Sequence, residues 1–199
     1  VPGTNSKEIR VAGSGRILTA PLATPVPTDI STPWAAAWRD LGYTTNDGVK
    51  IAKKDKLDPV DTWQTVSAAR FVYSDRDLSF KFQLLQLNED TLPFFFGGGA
   101  IQSASSGVYR YDLSGDPSFD ERMLGIEFRD AGQDDVVYRL IVGRGQVTET
   151  DELALVRTAP IKLGVTFTAL AAEGDEPLVT FLMKDAAYAG ATVSSTPKS

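Results

Sequence analysis

The 199-residue chain contains no cysteine and no histidine. The first absence removes disulfides, thiolate metal sites and cysteine nucleophiles together. The second removes the usual general base near neutral pH and the commonest metal-binding side chain. Neither a Ser-His-Asp triad nor a histidine-bound zinc can be built from this composition. Carboxylate pairs, a lysine base or a calcium site are the chemistries left. Long apolar runs are also missing: no window approaches the ~18 consecutive apolar residues of a membrane span. The opening stretch "VPGTNSKEIRVAGSG" has no apolar core of the kind that export signals carry. The expectation is a protein that is neither exported nor membrane-inserted, that is not an enzyme, and that has no catalytic, cofactor or metal site.

What is present is an ordinary globular composition, with 42% apolar and 23% charged residues. The length suits one domain over residues 1–199, with 1–10 as an N-terminal arm and 189–199 as a C-terminal tail. The net charge of −6 is unevenly spread. Residues 1–56 hold eight Lys/Arg against five Asp/Glu, whereas 57–199 hold twelve against twenty-one. A basic and an acidic surface of this kind could meet on neighbouring copies of one chain. An acidic body argues against sequence-independent phosphate binding.

Period-two alternation dominates the pattern and predicts strands. Ile9–Leu22 reads as a strand interrupted by glycines. The prolines of "TPVPTDISTP" exclude a central strand or a helix interior there. "WAAAWRDLG", residues 34–42, reads as one helical turn or as two tryptophans capping the core. In "LSFKFQLLQL", Leu78, Phe80, Phe82 and Leu84 point one way. Leu124, Ile126 and Phe128 form a second such set, and Val136, Tyr138, Leu140 and Val142 a third. Ile161, Leu163, Val165 and Phe167 make a fourth. Phe82 and Phe128 are expected to be buried, and "PLVTFLMKD" reads as a strand buried on both faces. A short helix is expected over Asp90–Phe96, capped by Asn88 or Asp90 and closed by Gly97, with Leu92, Phe95 and Phe96 as its apolar face. "GVYRYDL" alternates as well. The sum is a mainly β fold, an antiparallel β-sandwich or barrel with one short flanking α-helix.

Candidate sites are few. Asp112, Asp116 and Asp120 stand around a turn and could offer oxygens to calcium, though a solvated turn explains them better. The "GGG" after the helix is no phosphate cradle, because such a loop must precede a helix. The tryptophans could stack on sugars, as in a carbohydrate-binding β-sandwich. The most unusual stretch is "GYTTNDGVKIAKKDKLDPVDTWQ", residues 42–64. It carries Lys50, Lys53, Lys54 and Lys56, then aspartates, then Trp63, and Asn46-Asp47-Gly48 suggests a hairpin turn within it.

The order of these features is itself informative. A tryptophan-flanked "LGYTTNDGV" leads to a long charged loop. A strong strand, "DLSFKFQLLQLNED", then runs directly into "TLPFFFGGGA". This order resembles the major tail (tail-tube) proteins of long, non-contractile-tailed bacteriophages, especially those of actinobacterial phages. The resemblance spans roughly residues 10–190. It implies a fold shared with contractile-tail tubes and type VI secretion ring proteins. Six copies would close into a ring with four strands each lining an inner barrel, and rings would stack around a tape-measure protein. Tail-terminator and distal-tail or baseplate proteins would be further partners. DNA would pass through without specific binding, along an acidic lumen. The chain would be made in the host cytoplasm and reside in the virion. Residues 42–64 would be the inter-ring loop, with Lys50, Lys53, Lys54, Lys56 and Trp63 at the contact. The alternative is a carbohydrate-binding module or virion decoration protein.

Overall fold

The structure, a computed structural model, describes residues 3–171, 174 and 176–190. Ten strands and one α-helix follow in order: β1 (Ala12–Pro21), β2 (Arg39–Asp40), β3 (Lys50–Thr62), β4 (Thr65–Leu84), α1 (Thr91–Phe96), β5 (Gln102–Ser105), β6 (Val108–Arg110), β7 (Arg122–Asp130), β8 (Val137–Thr150), β9 (Leu163–Ala169) and β10 (Thr180–Lys184). Eight of the strands form one antiparallel sheet in the order β2-β1-β7-β8-β9-β4-β3, with β10 also on β8; β5 and β6 form a separate hairpin.

β8 joins two layers. Its first half pairs with β7 on one side and β10 on the other, and its second half, from Gly145 to Thr150, pairs with β9. The sheet thus folds over itself, with β1, β7, early β8 and β10 in one layer and late β8, β9, β4 and β3 in the other. A register shift between Val147 and Glu149 leaves Thr148 as an extra residue, a bulge in late β8. The core lies between the layers. Ile17, Leu124, Leu140 and Val142 meet Phe80, Phe82, Leu84, Val165 and Phe167 there. Phe94 of α1 stacks on both Phe82 and Phe167, with ring centroids 6.3 and 6.2 Å away.

A second, smaller core covers the other face of the first layer. Trp38 packs with Leu18, Ala20, Met123 and Ile141, with Trp34 alongside. Gly125 makes this possible: a Cβ there would lie 2.6 Å from the Trp34 ring. The segment that carries the tryptophans is fastened from below by Arg139. Its guanidinium donates to the carbonyls of Asp29 and Thr32 and to the Glu127 carboxylate. Glu127, 7% exposed, also accepts from the Trp34 indole and pairs with Arg16. Burial alone would push its carboxyl pKa up, but the hydrogen bonds from Trp34 and Arg139 and the charges of Arg16 and Arg139 outweigh it and hold the pKa below its ordinary value. A second polar knot ties the two ends of the chain together. Arg10 makes a two-pronged pair with Asp185, which also accepts from Tyr138. Burial, then the Asp185 hydrogen bond, pushes the Tyr138 hydroxyl up to about 12.

The mainly antiparallel β fold with one short helix is as the sequence predicts. Leu78, Phe80, Phe82 and Leu84 share the buried face. Several details differ. Within "PLVTFLMKD", residues 180–184 form β10, which among the described residues pairs only with β8, and Phe181 and Met183 stay partly open rather than buried. Phe128 is half-buried, stacked flat on Tyr138. α1 starts at Thr91 and buries Thr91, Pro93, Phe94 and Phe95, leaving Leu92 and Phe96 at its margin. Gly97 does take the left-handed conformation, at φ 80°. The turn at Asn46–Gly48 exists, but its flanks do not pair with each other: Thr44 and Lys50 both lie along β4. "GVYRYDL" yields only the short, exposed β6. Most of the expected tail, residues 191–199, lies outside the described residues.

Candidate assembly surfaces

β3 and β4 make one long hairpin whose turn is Trp63-Gln64. Only the base of β4, residues 79–84, also pairs with β9. Beyond Leu78, its outermost buried residue, the two strands project as a free ribbon. At ~3.3 Å rise per residue the ribbon reaches about 40 Å from the body. Thus the stretch expected to be a loop is half of a two-stranded arm, and the other half is the strand that feeds the core.

A two-stranded ribbon is at best marginally stable alone in water. This one also shows apolar side chains on one face. Leu57 lies opposite Tyr73 and Pro59 opposite Phe71, and directly opposed residues point the same way. Phe71 is 60% exposed and Tyr73 65%, while Trp63 at the tip is 99% exposed. A contiguous exposed apolar stripe of this kind marks a contact surface.

The four lysines do not form a bare cationic patch. Lys53 pairs with Asp55 at 2.6 Å, and Arg76 shares that carboxylate. The Arg76 hydrogen bond, and then that of Lys53, lowers the Asp55 pKa. Lys56 reaches Asp58 at 3.9 Å and stands opposite Asp75, and Lys54 stands opposite Asp77. Lys50 is at the base, opposite Lys81. The ribbon's charge is therefore mostly balanced within itself. Its apolar stripe does not announce itself in the sequence, because the clear alternation of β4 begins only at Leu78. The signal was present: no Gly, Pro or Asn interrupts residues 65–84.

The body offers two further open surfaces, both strand edges. β3 pairs with β4 alone, and the part of β8 after Gly145 pairs with β9 alone. The layer β8-β9-β4-β3 thus ends in an unpaired edge on each side, among the described residues. Open edges are templates for pairing with another chain.

The remaining candidates dissolve. Asp112 pairs with Arg110, and Asp120 with Arg122. Among the described residues no group of three or more Asp or Glu could hold a metal ion. Trp34 and Trp38 are packed against each other, which leaves Trp63 as the exposed indole and no two-ring sugar platform.

Residues 2–193 match a protein family described as phage tail tube protein. The chain belongs to that family. No curated protein matches it. As a tail tube protein it is a structural component of the phage virion and self-assembles into a tube. Its projecting ribbon and two open edges are surfaces suited to that task. No helix among the described residues is long and apolar enough to cross a membrane.

Proposed function

We propose that this tail tube protein closes into hexameric rings, and that the rings stack into a tube of the long, non-contractile type through which DNA leaves the virion. The observation that carries the reading is the pair of open edges on one four-stranded layer. The strands of that layer alternate in direction, and their number is even. The β3 edge of one copy therefore runs antiparallel to the β8 edge of the next, so the alternation continues across every junction. Such a head-to-tail contact repeats until it closes on itself. Stacking is assigned to the ribbon, whose apolar stripe and Trp63 would lie on a neighbouring ring. Lys53, Lys54 and Lys56 lie along the ribbon next to that contact and set its register more than its strength, since exposed charges are screened over about 8 Å, while Lys50 stays at the base. The tape-measure protein would occupy the channel before DNA does, and terminator and distal-tail proteins would close the two ends.

The test uses a double variant, Phe71→Ser with Tyr73→Ser. Both side chains are exposed, so the subunit should keep its circular-dichroism spectrum and lose no more than about 0.5 kcal/mol. Negative-stain microscopy should show rings but no tubes. Normal tubes from the double variant would remove the ribbon from the stacking contact. A strictly monomeric unsubstituted chain at high concentration would overturn the ring reading itself.

A further inference from the structure

Leu87, Leu92, Ile101 and Tyr109 line an open cleft of about 750 Å³, with Glu89 and Ser103 beside them. Three pieces of chain meet there: the segment leaving β4, the first turn of α1, and the β5-β6 hairpin. The hairpin is set against the helix by Gly97, Gly98 and Gly99. All three have positive φ, at 80°, 119° and 89°, so the turn out of α1 needs glycine. Tyr111 then fastens the root of the hairpin. Its ring stacks on Phe96 at 5.7 Å, and its hydroxyl donates to the Gly98 carbonyl at 2.7 Å. The hairpin itself has no cover: every residue of β5 and β6 is exposed. A two-stranded hairpin is marginal alone in water. Leu87 and Tyr109 on the cleft walls are exposed as well, while Leu92 and Ile101 are half-buried.

Resting on the stacking role given to the ribbon above, we propose that this cleft receives the ribbon of a second copy, with Trp63 seated between Leu87, Leu92, Ile101 and Tyr109. Open edges join copies sideways, so the strands of the joined layer run along the stack, inclined by roughly 35–45° as in closed barrels. The ribbon leaves the body at the start of β4, and the cleft lies just past the end of the same strand. Ribbon and cleft therefore sit at opposite ends of each copy. A copy displaced along the stack brings its cleft toward the ribbon of the copy before it. No copy can fill its own cleft, because its tip points about 40 Å away from the body. The chemistry matches: an exposed indole and apolar stripe meet an apolar cleft with room for them. The charges match too. Residues 86–121, which build the cleft and its surroundings, hold six Asp/Glu against one Lys/Arg, whereas residues 50–78 hold five against six. Arg70, next to Phe71, makes no ion pair among the described residues, and Glu89 stands exposed at the cleft. These signs favour ribbon-to-cleft over cleft-to-cleft contact, and a contact of that kind repeats without limit along the stack.

The chain has no native cysteine, so two introduced thiols can be joined selectively. Gln64→Cys at the ribbon tip and Ser103→Cys at the cleft are combined in one chain; both positions are exposed. Tubes of this variant, treated with a short bismaleimide, should give a ladder of covalent multimers on denaturing gels, since each tip is joined to the next copy's cleft. Dilute free subunits should stay monomeric, because the tip and cleft of one copy lie too far apart. Gln64→Cys with Ala36→Cys, exposed beside the outer tryptophans, should give no ladder. Intact tubes without a ladder, or an equal ladder from the Ala36→Cys control, would overturn the cleft as the receiver while leaving stacking by the ribbon in place. A second variant, Leu87→Ser with Tyr109→Ser, changes only exposed side chains of the cleft. It should keep the parent circular-dichroism spectrum and form rings but no tubes; normal tubes from it would also overturn the assignment. Failure of the unsubstituted chain to form tubes would instead overturn the stacking reading, and the cleft assignment with it.

Discussion

Glu127 receives hydrogen bonds from the Arg139 guanidinium and the Trp34 indole, 2.6 and 3.1 Å away, and an ion pair from Arg16. Removing one partner of a buried ion pair leaves the other charged and unpaired, typically at 3–5 kcal/mol. Glu127→Gln should therefore cost about 3–5 kcal/mol in denaturant unfolding. It should also free the tryptophan segment, seen as faster hydrogen exchange near Trp38. The same residue sets an acid limit. Its folded pKa lies below the ordinary 4.5, so its contribution is complete above that pH and fades as pH falls through the folded value. An acid titration of stability should decline below about pH 4.5 in the parent and more weakly in Glu127→Gln. None of this could be read from "GIEFRD". Alternation there sets Leu124, Ile126 and Phe128 on one face, of which Leu124 and Ile126 are buried and Phe128 half-buried, and it carries no signal for Glu127 on the other. β7 is covered on both faces, and period-two reasoning cannot see the second cover, because it arrives from a proline-rich segment far away in sequence.

At the element scale, α1 shows what local chemistry can decide. Asn88 accepts from the amides of Asp90 and Thr91 at 3.0 and 2.9 Å, while Asp90 makes no side-chain cap bond and instead pairs loosely with Arg39. Asn88→Ala should lower stability by about 1 kcal/mol, and Asp90→Ala by only a few tenths, the scale of an exposed ion pair. Equal losses on thermal melting would show that the aspartate acts as the cap. Sequence left both residues open as caps because each suits the role; the geometry of the entering chain chose between them. The ribbon was harder. Its strand periodicity was visible at Leu78–Leu84, where one face is buried, and faded beyond, where neither face is. Alternation reports burial, and an arm without a partner has none to report. β10 failed for the opposite reason. An apolar run reads as buried on both faces, yet among the described residues β10 has only β8 beside it, and Phe181 and Met183 remain partly open.

The whole molecule shows how far pattern carries assembly. The mainly antiparallel β architecture with one short helix and the family itself were legible, because they depend on which residues face inward. The open edges were not, because an unpaired edge is a fact about which strands are missing a neighbour. The bulge at Thr148 lies on one of those open edges, held by its hydroxyl against β9. Bulges bend a strand and increase its twist. A ring closes only when the angle stepped off by one copy divides a full turn a whole number of times. A bend at the joining edge is repeated at every junction, so a small local angle becomes a large difference in circumference. Deleting Thr148 should thus alter the number of copies counted in end-on views of tubes, or turn closed rings into open helical ribbons. An unchanged count would place the control of curvature elsewhere. On this view one extra residue in a strand acts as a gauge, converting backbone geometry into the bore of the tube.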